Sequence, residues 1–437
     1  MEIFSIISLK VSKIFSQYRL ASMMLLTSTN IALSLINFSL CFSLLSGESF
    51  GAWIIVYSIY QWIISFDGGV GNQARNKYTI AEKNGDISLK KILIKEAFKK
   101  SGLSLLVIWI TWLVISFFIN WSQILSGSIS IFLLEFMVVF GLLNVWSKLV
   151  NKFLFAINLG FVTIIVPVIN NLIVTIGLTF LKLNLFSDLL TGHEVYYIAS
   201  LYIVFSPMLN LLILYKFFNV YFCNIPKALK DELTYKDGAW FFFFQGFSGI
   251  ILLALPAIVG FLGNTTLAGE AGILLRYYSL PLLILTVFLQ YEWRNITLNS
   301  TKKITFELSV WNKRLSFSWV LMMFIFLSIF MLDDFILKLW LGDTVKLPLN
   351  WSFLFGLLFA LIATKRFVTT ILQAISSIKR PAVVSLLSLL VILVHLNMED
   401  TNTELLLYSL IISILIEILI LVLTMRYSRI NHNKEGA

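Results

Sequence analysis

Long apolar stretches recur along nearly the whole chain and are separated by short polar connections. Each has about twenty residues, enough for an α-helix to cross a hydrocarbon core of about 30 Å. Their even hydrophobicity is unlike the alternation of a barrel strand, and in lipid a helix satisfies its own backbone groups. The predicted spans are 21–45, 50–66, 102–120, 129–146, 157–181, 196–218, 239–262, 271–290, 315–336, 350–371, 381–397 and 404–425. The pattern therefore predicts an all-α integral membrane protein with about twelve transmembrane helices.

The composition supports this interpretation and excludes a soluble globular class. Of the 437 residues, 59% are hydrophobic and 13% are charged, whereas a soluble domain carries about 25% charged residues. The lipid-facing surface takes the place of a solvated one. We expect no soluble domain in addition to the membrane bundle.

Lysine and arginine residues divide unequally between alternate connections. If the N-terminus is cytoplasmic, 29 of the 33 fall in cytoplasmic pieces, Lys182, Lys338 and Lys346 fall outside, and Arg276 lies within a span. The positive-inside rule therefore predicts that both termini are cytoplasmic. Because the basic residues are spread over seven short pieces, a nucleic-acid-binding patch is excluded. The largest basic cluster, at 87–100, mixes lysines with Ile and Leu, and predicts an amphipathic helix on anionic lipid headgroups.

Two short sequence matches recur six spans apart. Tyr-Ser-Ile at 57–59 is similar to Tyr-Ser-Leu at 278–280, and Leu-Phe-Ala-Ile at 154–157 is similar to Leu-Gln-Ala-Ile at 372–375. An even offset predicts parallel repeats around a central cleft with alternating access. The predicted domains are an N-terminal six-helix lobe (1–218), a cytoplasmic connector (219–238) and a C-terminal six-helix lobe (239–437).

Arg276 is the most informative single residue, because a mid-span arginine costs about 2.5–3.5 kcal/mol on insertion scales. One interpretation is that it faces the cleft and pairs with an anionic group such as phosphate, which suits a guanidinium fork. The other is that it snorkels to the outer headgroups from a position close to the outer loop. Both interpretations remain open at the level of sequence.

Other polar residues within the spans have a functional and a structural interpretation. Glu135 and Glu417 are acids that could bind a proton or a cation, or could bond to a neighbouring helix. Prolines in four spans free backbone carbonyls and offer hinges, and asparagines near two of them suggest wet, deformable helices or helix–helix hydrogen bonds. These residues are Pro167, Pro207, Pro256, Pro281, Asn170, Asn171 and Asn210.

The densest polar segment lies at the inner end of span 2 and reads Ser-Phe-Asp-Gly-Gly-Val-Gly-Asn-Gln-Ala-Arg-Asn-Lys at 65–77. It follows a membrane helix instead of a strand, so it is unlike a phosphate-binding glycine loop. We expect a tight exit from the bilayer, with Asp67 capping the next helix. Arg75, Lys77 and Asn72 are candidates for binding an anionic headgroup at the cytoplasmic mouth. Asp67 is, with Glu135, a candidate for ion coupling.

Cys41 and Cys223 are the only cysteines, and neither their spacing nor any Cys/His cluster predicts a disulfide or a metal site. Cys41 lies in an apolar run and Cys223 on the predicted reducing side. We expect both to be dispensable.

The chain resembles bacterial O-antigen and polysaccharide flippases of the Wzx type, in the superfamily that also holds multidrug/toxin extruders and the lipid II flippase. The resemblance covers nearly the whole chain. It is carried by Gly-Ala-Trp at 51–53 with Trp62, Phe-Asp-Gly-Gly-Val-Gly-Asn at 66–72, Arg-Asn-Lys at 75–77, Gly-Asp at 85–86, Arg-Tyr-Tyr-Ser at 276–279, Gln-Tyr-Glu-Trp at 290–293 and Ile-Leu-Lys-Leu-Trp-Leu-Gly at 336–342. The sequence departs from the family in having two glycines at 68–69 and in lacking a proline at 290–293, which leaves the inner end of span 8 undefined.

The resemblance implies transfer of an undecaprenyl-pyrophosphate-linked sugar unit across the bacterial inner membrane. It implies no cofactor, an H⁺ or Na⁺ gradient as the energy source, and a polysaccharide polymerase and a chain-length regulator as partners beside the lipid-linked substrate and membrane lipid. Two alternatives remain. A multidrug cation extruder of the same fold would favour acids in the cleft, and a membrane-embedded polymerase would need larger outer loops than the longest here, of about fourteen residues. We expect the protein not to be an enzyme.

Overall fold

The computed structural model describes residues 19–45, 47–65, 69–119, 121, 130–183, 194–221, 232–244, 247–261, 265–300, 308–342, 349–374, 379, 382–387, 390 and 403–435. The described part is helical, and it contains no strand. The N-terminal half forms α1 (Arg19–Leu44), α2 (Gly47–Ile64), α3 (Val70–Asn84), α4 (Ile87–Phe118), α5 (Ile131–Ala156), α6 (Gly160–Lys182) and α7 (Glu194–Tyr221). The C-terminal half forms α8 (Tyr235–Phe244), α9 (Phe247–Phe261), α10 (Thr265–Ser300), α11 (Leu308–Met331), α12 (Asp333–Leu341), α13 (Leu349–Ala374) and α14 (Thr403–Glu435).

The predicted fold class is confirmed: the protein is an all-α membrane bundle of about twelve helices in two lobes. Within the described residues, eight helices are long and apolar enough to cross a membrane. The pair α11 and α12, bent by 66°, forms a ninth span if it is counted as one. The shorter α2 and the divided pair α8 and α9 occupy two further predicted spans. The predicted span 381–397 falls mostly outside the described residues.

Helices α4 and α10 are longer than a bilayer requires. At 1.5 Å per residue, the 36 residues of α10 measure about 54 Å and the 32 residues of α4 about 48 Å. Both extend beyond the end of the bundle that the charge distribution predicts to be cytoplasmic, which we call the inner face; the opposite end is the outer face. No break occurs in α10 at 290–293, so the missing proline leaves span 8 as one continuous helix.

The prediction of a separate surface helix at 87–100 was wrong. This segment is the inner extension of α4, and Leu93, Ile94 and Ala97 on its apolar face are fully buried in a core formed with α3 and α5. Gly85 ends α3 in the left-handed conformation (φ 71°), and the Asp86 carboxylate caps α4 by accepting a hydrogen bond from Leu89 N (2.9 Å). The tight turn folds α4 back along α3, so apolar residues that suggested lipid contact pack against protein instead.

One charge assignment also changes. Lys365 and Arg366 are predicted to belong to an inner connection, whereas both lie within α13. Lys365 is buried and forms an ion pair with the buried Glu417 of α14. An isolated charge in this position would be expensive, and pairing reduces that cost. Glu417 therefore serves as a partner for a lysine between two helices of the C-terminal lobe.

Asn171 of α6 and Asn210 of α7 bond to neighbouring helices, whereas the buried Asn170 Oδ1 has no hydrogen bond within the described residues. Asn171 donates to Asn30 Oδ1 (2.8 Å) and accepts from Asn37 at its carbonyl (3.0 Å), which ties α6 to α1. In α7, Asn210 donates to Asn144 Oδ1 of α5 (3.0 Å). The helix–helix interpretation matches the structure for Asn171 and Asn210.

Candidate functional site

The two lobes meet where α2 packs against α9 and α10. In the outer part of this interface, α2 and α10 approach so closely that two positions have room only for glycine. A Cβ atom at Gly51 would overlap the Thr265 carbonyl oxygen at the start of α10, and a Cβ at Gly272 would overlap the Ile54 side chain. Backbones therefore approach closely here, as they do at small-residue contacts between membrane helices.

Arg276 lies on the same stripe of α10. Gly269 contacts Phe50 and Gly51, and Gly272 contacts Ile54. Position 276 follows 272 by one turn, so it faces α2 one turn deeper. Because α10 begins at Thr265, Arg276 lies about 16 Å from the outer end of its helix. Arg276 is therefore deeper in the bundle than the predicted position close to the outer loop.

The Arg276 guanidinium has no protein partner within the described part of the chain. Its side chain is half-buried, its Nε is buried without a hydrogen bond, and no described residue forms an ion pair with it. A buried donor without an acceptor is costly, more so when it is charged. The arrangement leaves a guanidinium at the lobe interface with its hydrogen-bonding capacity unused.

An aromatic cluster from the N-terminal lobe faces Arg276. It consists of Trp53 and Tyr57 of α2 and Tyr202 of α7, with ring centroids 5.4 to 5.5 Å apart in all three pairs. The Tyr202 hydroxyl lies within electrostatic range of Arg276 and 3.9 Å from Cys41 Sγ. Tyr57 and Tyr202 are half-buried and Trp53 is buried. The cluster offers ring faces and hydroxyl groups next to an unpaired cation.

Arg75 occupies a different environment at the inner face. It is fully buried, and its two terminal nitrogens donate to the Gln290 side-chain oxygen and, at 2.7 Å, to the Gln290 carbonyl. The guanidinium also lies over the rings of Phe155 (5.2 Å) and Trp293 (4.6 Å). Burial lowers the pKa of Arg75 to about 9, so it stays charged at neutral pH. Arg75 thus joins α3 to α10 in this conformation and does not line an open mouth.

Asn76 continues this connection between the lobes. Its amide donates to the Gln373 carbonyl of α13 (2.8 Å), and its side-chain oxygen accepts from Trp293 Nε1 (2.7 Å) and from Thr297 Oγ1 (3.5 Å). We call the Arg75 and Asn76 hydrogen bonds to α10 and α13 the inner contact. The Arg-Asn pair of the polar segment at 65–77 therefore closes the inner face.

Lys77 and Asn72, the other two candidates of the polar segment at 65–77, also have protein partners at the inner face. Lys77 donates to the Glu232 carbonyl and lies 3.6 Å from its carboxylate. Asn72 is buried and accepts a hydrogen bond from Lys152 Nζ (2.7 Å). Their predicted role in binding a headgroup stays a prediction.

The ion-coupling candidates are not brought together with Arg276. Glu135 lies in the outer half of α5 and accepts hydrogen bonds from Trp112 Nε1 and Ser116 Oγ of α4, both at 3.1 Å. Asp67 lies outside the described residues. The helix that Asp67 was expected to cap, α3, follows Gly69 in the left-handed conformation, and this N-cap glycine has no side chain to cap the helix. Among the described residues, no three His, Cys, Asp or Glu side chains are grouped as metal ligands.

An outer contact also joins the lobes. Trp340 of α12 donates from Nε1 to the Leu35 carbonyl of α1 (2.9 Å), and its own carbonyl accepts from Ser39 Oγ (3.2 Å). Its ring packs against Phe38, with centroids 5.3 Å apart. The lobes are therefore bonded at both faces, with Arg276 between the two contacts.

Sequence reasoning missed the aromatic cluster and the outer contact. Trp53 and Tyr57 stand four residues apart, which places them on one helix face, and this spacing was visible in the sequence. Tyr202 and Trp340 could not be connected to the site without the fold, because they lie on helices far away in the chain.

Neither a protein-family model nor the sequence of a characterised protein matches the chain. Solved structures do match. An outward-facing multidrug resistance MATE family transporter of the MOP superfamily is 12% identical, with 95% of this chain and 96% of that chain covered and a TM-score of 0.67. An inward-facing MATE family transporter of the MOP superfamily is 11% identical over 93% and 96% of the chains, with a TM-score of 0.59. A MATE structure in complex with MaL6 is 12% identical over 95% and 96%, with a TM-score of 0.66. The chain therefore has the fold of the MATE transporters of the MOP superfamily.

Proposed function

We propose that the protein is a transporter that moves an undecaprenyl-pyrophosphate-linked oligosaccharide from the cytoplasmic to the outer leaflet by alternating access. The observation that carries this proposal is Arg276, a guanidinium at the lobe interface without a protein partner. A guanidinium binds phosphate with two parallel hydrogen bonds. In a closed lobe interface, a pyrophosphate would supply the acceptors that the protein does not.

The aromatic cluster fits the sugar part of such a substrate. Sugar rings have apolar C–H faces and polar hydroxyl edges, and tyrosine and tryptophan combine ring faces with a polar atom. Trp53 and Tyr57 pack against Tyr202, and Tyr202 lies within electrostatic range of Arg276. A sugar next to a pyrophosphate would thus meet rings while the phosphates meet the guanidinium.

Alternating access requires the two contacts to break in turn. Opening the inner contact would admit the headgroup from the cytoplasmic face, and opening the outer contact would release it. The long lipid tail can stay in the bilayer throughout. An H⁺ or Na⁺ gradient is the proposed energy source, and a polymerase and a chain-length regulator are the proposed partners at the outer face.

A multidrug extruder is the second candidate, because solved structures of the same fold are multidrug resistance MATE family transporters. Such a protein would bind lipophilic cations, and an acid would suit this task better than an arginine. Arg276 between the lobes favours an anionic substrate, and we therefore rank the extruder second.

The two candidates are separated by the purified protein in vesicles. We expect transfer of a fluorescent undecaprenyl-pyrophosphate-linked hexosamine across the bilayer, measured by its exposure to a membrane-impermeant quencher, and no transport of ethidium. Empty vesicles are the control. Ethidium transport without transfer of the labelled lipid would establish the extruder and contradict the flippase.

The proposed location is the bacterial inner membrane with both termini in the cytoplasm, supported by the Lys and Arg distribution. A phosphatase that is active only outside the cytoplasm should be silent when fused after Ala437 and active when fused within 396–404. The reverse result would invert the inner and outer faces and exclude the proposed direction of transport.

A further inference from the structure

Asp333 is a buried carboxylate that the proposed function does not use. It is 7% exposed and lies at the bend between α11 and α12. Its Oδ2 accepts a hydrogen bond from Ser352 Oγ of α13, and Oδ1 accepts one from Asp334 N (2.7 Å). Ser352 Oγ in turn lies 2.7 Å from the Tyr278 hydroxyl of α10. A chain of oxygen atoms therefore runs from α12 through α13 to α10.

No cation balances this carboxylate in the described part of the chain. Its partners are a hydroxyl and a backbone amide, and no described Lys or Arg forms an ion pair with it. A buried carboxylate without countercharge within a span is costly. The positive end of the α12 dipole offsets only part of that cost. Binding a proton or a small cation would remove the imbalance.

The surrounding backbone also fits a cation. Helices α11 and α12 form a span broken by 66°. The Ile329 carbonyl belongs to the C-terminal turn of α11 and accepts from the Tyr277 hydroxyl (3.1 Å). Broken helices in transporters commonly use such C-terminal carbonyls to coordinate Na⁺ or H⁺. Oxygen atoms from α10, α11, α12 and α13 therefore meet near the bend.

The site is connected to the outer contact by one short helix. Asp333 begins the nine-residue α12, and Trp340, which binds α1, lies two turns along it. The Trp340 ring also stacks near Tyr277 of α10, with centroids 6.5 Å apart. A change in the anchoring of Asp333 would move the residue that holds the lobes together at the outer face.

We propose that Asp333, Ser352 and Tyr278 form a binding site for one monovalent cation, H⁺ or Na⁺, and that its occupancy releases the outer contact. In this structure the carboxylate accepts hydrogen bonds at both oxygens, and the outer contact is closed. A bound cation withdraws the negative charge from the start of α12 and competes for the Ser352 hydroxyl. Helix α12 then loses its attachment to α13, and Trp340 leaves α1.

Few other ionisable groups face Asp333. From α10 these are the Tyr277 and Tyr278 hydroxyls, while Arg276 on that helix points towards the N-terminal lobe. Asp334 and Lys338 lie on α12 itself. The charged residues of α11 and α1 lie at their inner ends. Other carboxylates lie near the outer ends of the helices, namely Asp334 on α12, Glu48 on α2 and Glu270 on α10. The Asp333→Asn variant therefore decides whether a response to acid comes from Asp333.

The test measures the outer separation of the lobes in the full-length protein in lipid nanodiscs without substrate. Spin labels are placed at Gly47→Cys and Thr266→Cys, two exposed positions at the outer ends of α2 and α10, in a Cys41→Ser, Cys223→Ser background. Distances are recorded at acidic and alkaline pH, and with Na⁺ or choline. We expect roughly a tenfold change in the ratio of long to short distances for the wild type, in the range of allosteric coupling. The pH arm identifies a proton and the Na⁺ arm a sodium ion.

Asp333→Asn should give the long-distance population under every condition. Glu135→Gln, which removes the charge of another outer carboxylate, should respond like the wild type. The proposal is overturned if the wild type responds to neither cation, if Asp333→Asn responds as the wild type does, or if Glu135→Gln loses the response. Should Asp333→Asn not fold, Ser352→Ala and Tyr278→Phe must shift the cation concentration at the midpoint; an unchanged midpoint in both contradicts the site.

This measurement does not depend on the proposed function, because no lipid-linked sugar is present. A cation response with no transfer of the labelled lipid would retain this site and refute the flippase. Transfer of the lipid with no cation response would do the opposite.

Discussion

Arg75 and Arg276 are two arginines at one lobe interface, and their surroundings differ in kind. Arg75 lies at the inner face, fully buried, with two of its nitrogens bonded to Gln290 and its plane between two rings. Arg276 lies deeper in the bilayer, faces the aromatic cluster and has no protein acceptor in the described residues. The Nε atoms of both arginines are buried without a hydrogen bond. The two terminal nitrogens of Arg75 are bonded to protein, whereas no described residue accepts a hydrogen bond from the Arg276 guanidinium.

The difference separates a structural task from a binding task. A guanidinium that is bonded across the interface stabilises one conformation, because its hydrogen bonds exist only when the lobes meet. A guanidinium without a partner gains its hydrogen bonds only when a ligand arrives. We therefore expect substitutions of Arg276 to affect transport and substitutions of Arg75 to affect conformation and stability.

The largest effect is expected at Arg276. Arg276→Ala should abolish transfer of the labelled lipid with no loss of thermal stability, because no protein hydrogen bond is removed. Arg276→Lys should retain part of the activity, since it keeps the charge and loses the bidentate fork, and Arg276→Glu should be inactive.

Arg366→Ala is the matched control for this series. Arg366 is also a span arginine, but it is exposed and donates to Thr286 Oγ1 (2.6 Å), so transfer should stay near the wild-type rate. Unimpaired transfer by Arg276→Ala would remove Arg276 from the mechanism and support the snorkelling interpretation.

An intermediate effect is expected at Arg75. Arg75→Ala should lower stability by about 3 kcal/mol, since it removes two hydrogen bonds to a charged donor and leaves the Gln290 side-chain oxygen unpaired. It should also favour inner-face opening, seen as faster alkylation of a cysteine placed at Ala374, which is buried beside the inner contact. Equal alkylation rates in the presence and absence of Arg75, at matched expression, would show that the inner contact does not close this face.

The smallest effect is expected for the cysteines. Cys41 is buried beside Tyr202, and serine is close to it in volume. The Cys41→Ser, Cys223→Ser variant should transfer the labelled lipid at near the wild-type rate. A complete loss of transfer with normal protein levels would make Cys41 part of the site around Arg276 and would weaken the contrast between the two arginines.

The fold was largely predictable because the membrane makes simple demands. A run of about twenty apolar residues is stable in lipid as an α-helix. The Lys and Arg residues then indicate which side of the membrane each connection faces. The failures arose where protein replaced lipid or water. The segment 87–100 has the pattern of a surface helix, yet α3 and α5 cover its apolar face, and no local pattern distinguishes these partners.

The site was predictable in part for the same reason. Arg276 stood out because an arginine in a span is rare, and this argument needs no fold. The role of Asn76 depends on Trp293, Thr297 and Gln373, which lie more than 200 positions away. Asp333 was read as part of an ordinary span, because a 66° bend between two helices leaves no mark in hydropathy.

The depth of Arg276 has a consequence for energetics. A group about 16 Å below the outer end of its helix lies near the middle of the electric field of an energised membrane. Moving one elementary charge across the whole membrane changes its free energy by about 2.3 kcal/mol per 100 mV of membrane potential. With an inside-negative potential, an empty site that carries only the guanidinium is drawn towards the inward-open state. A site loaded with pyrophosphate has a net negative charge and is drawn towards the outward-open state. The voltage would then favour both halves of the transport cycle.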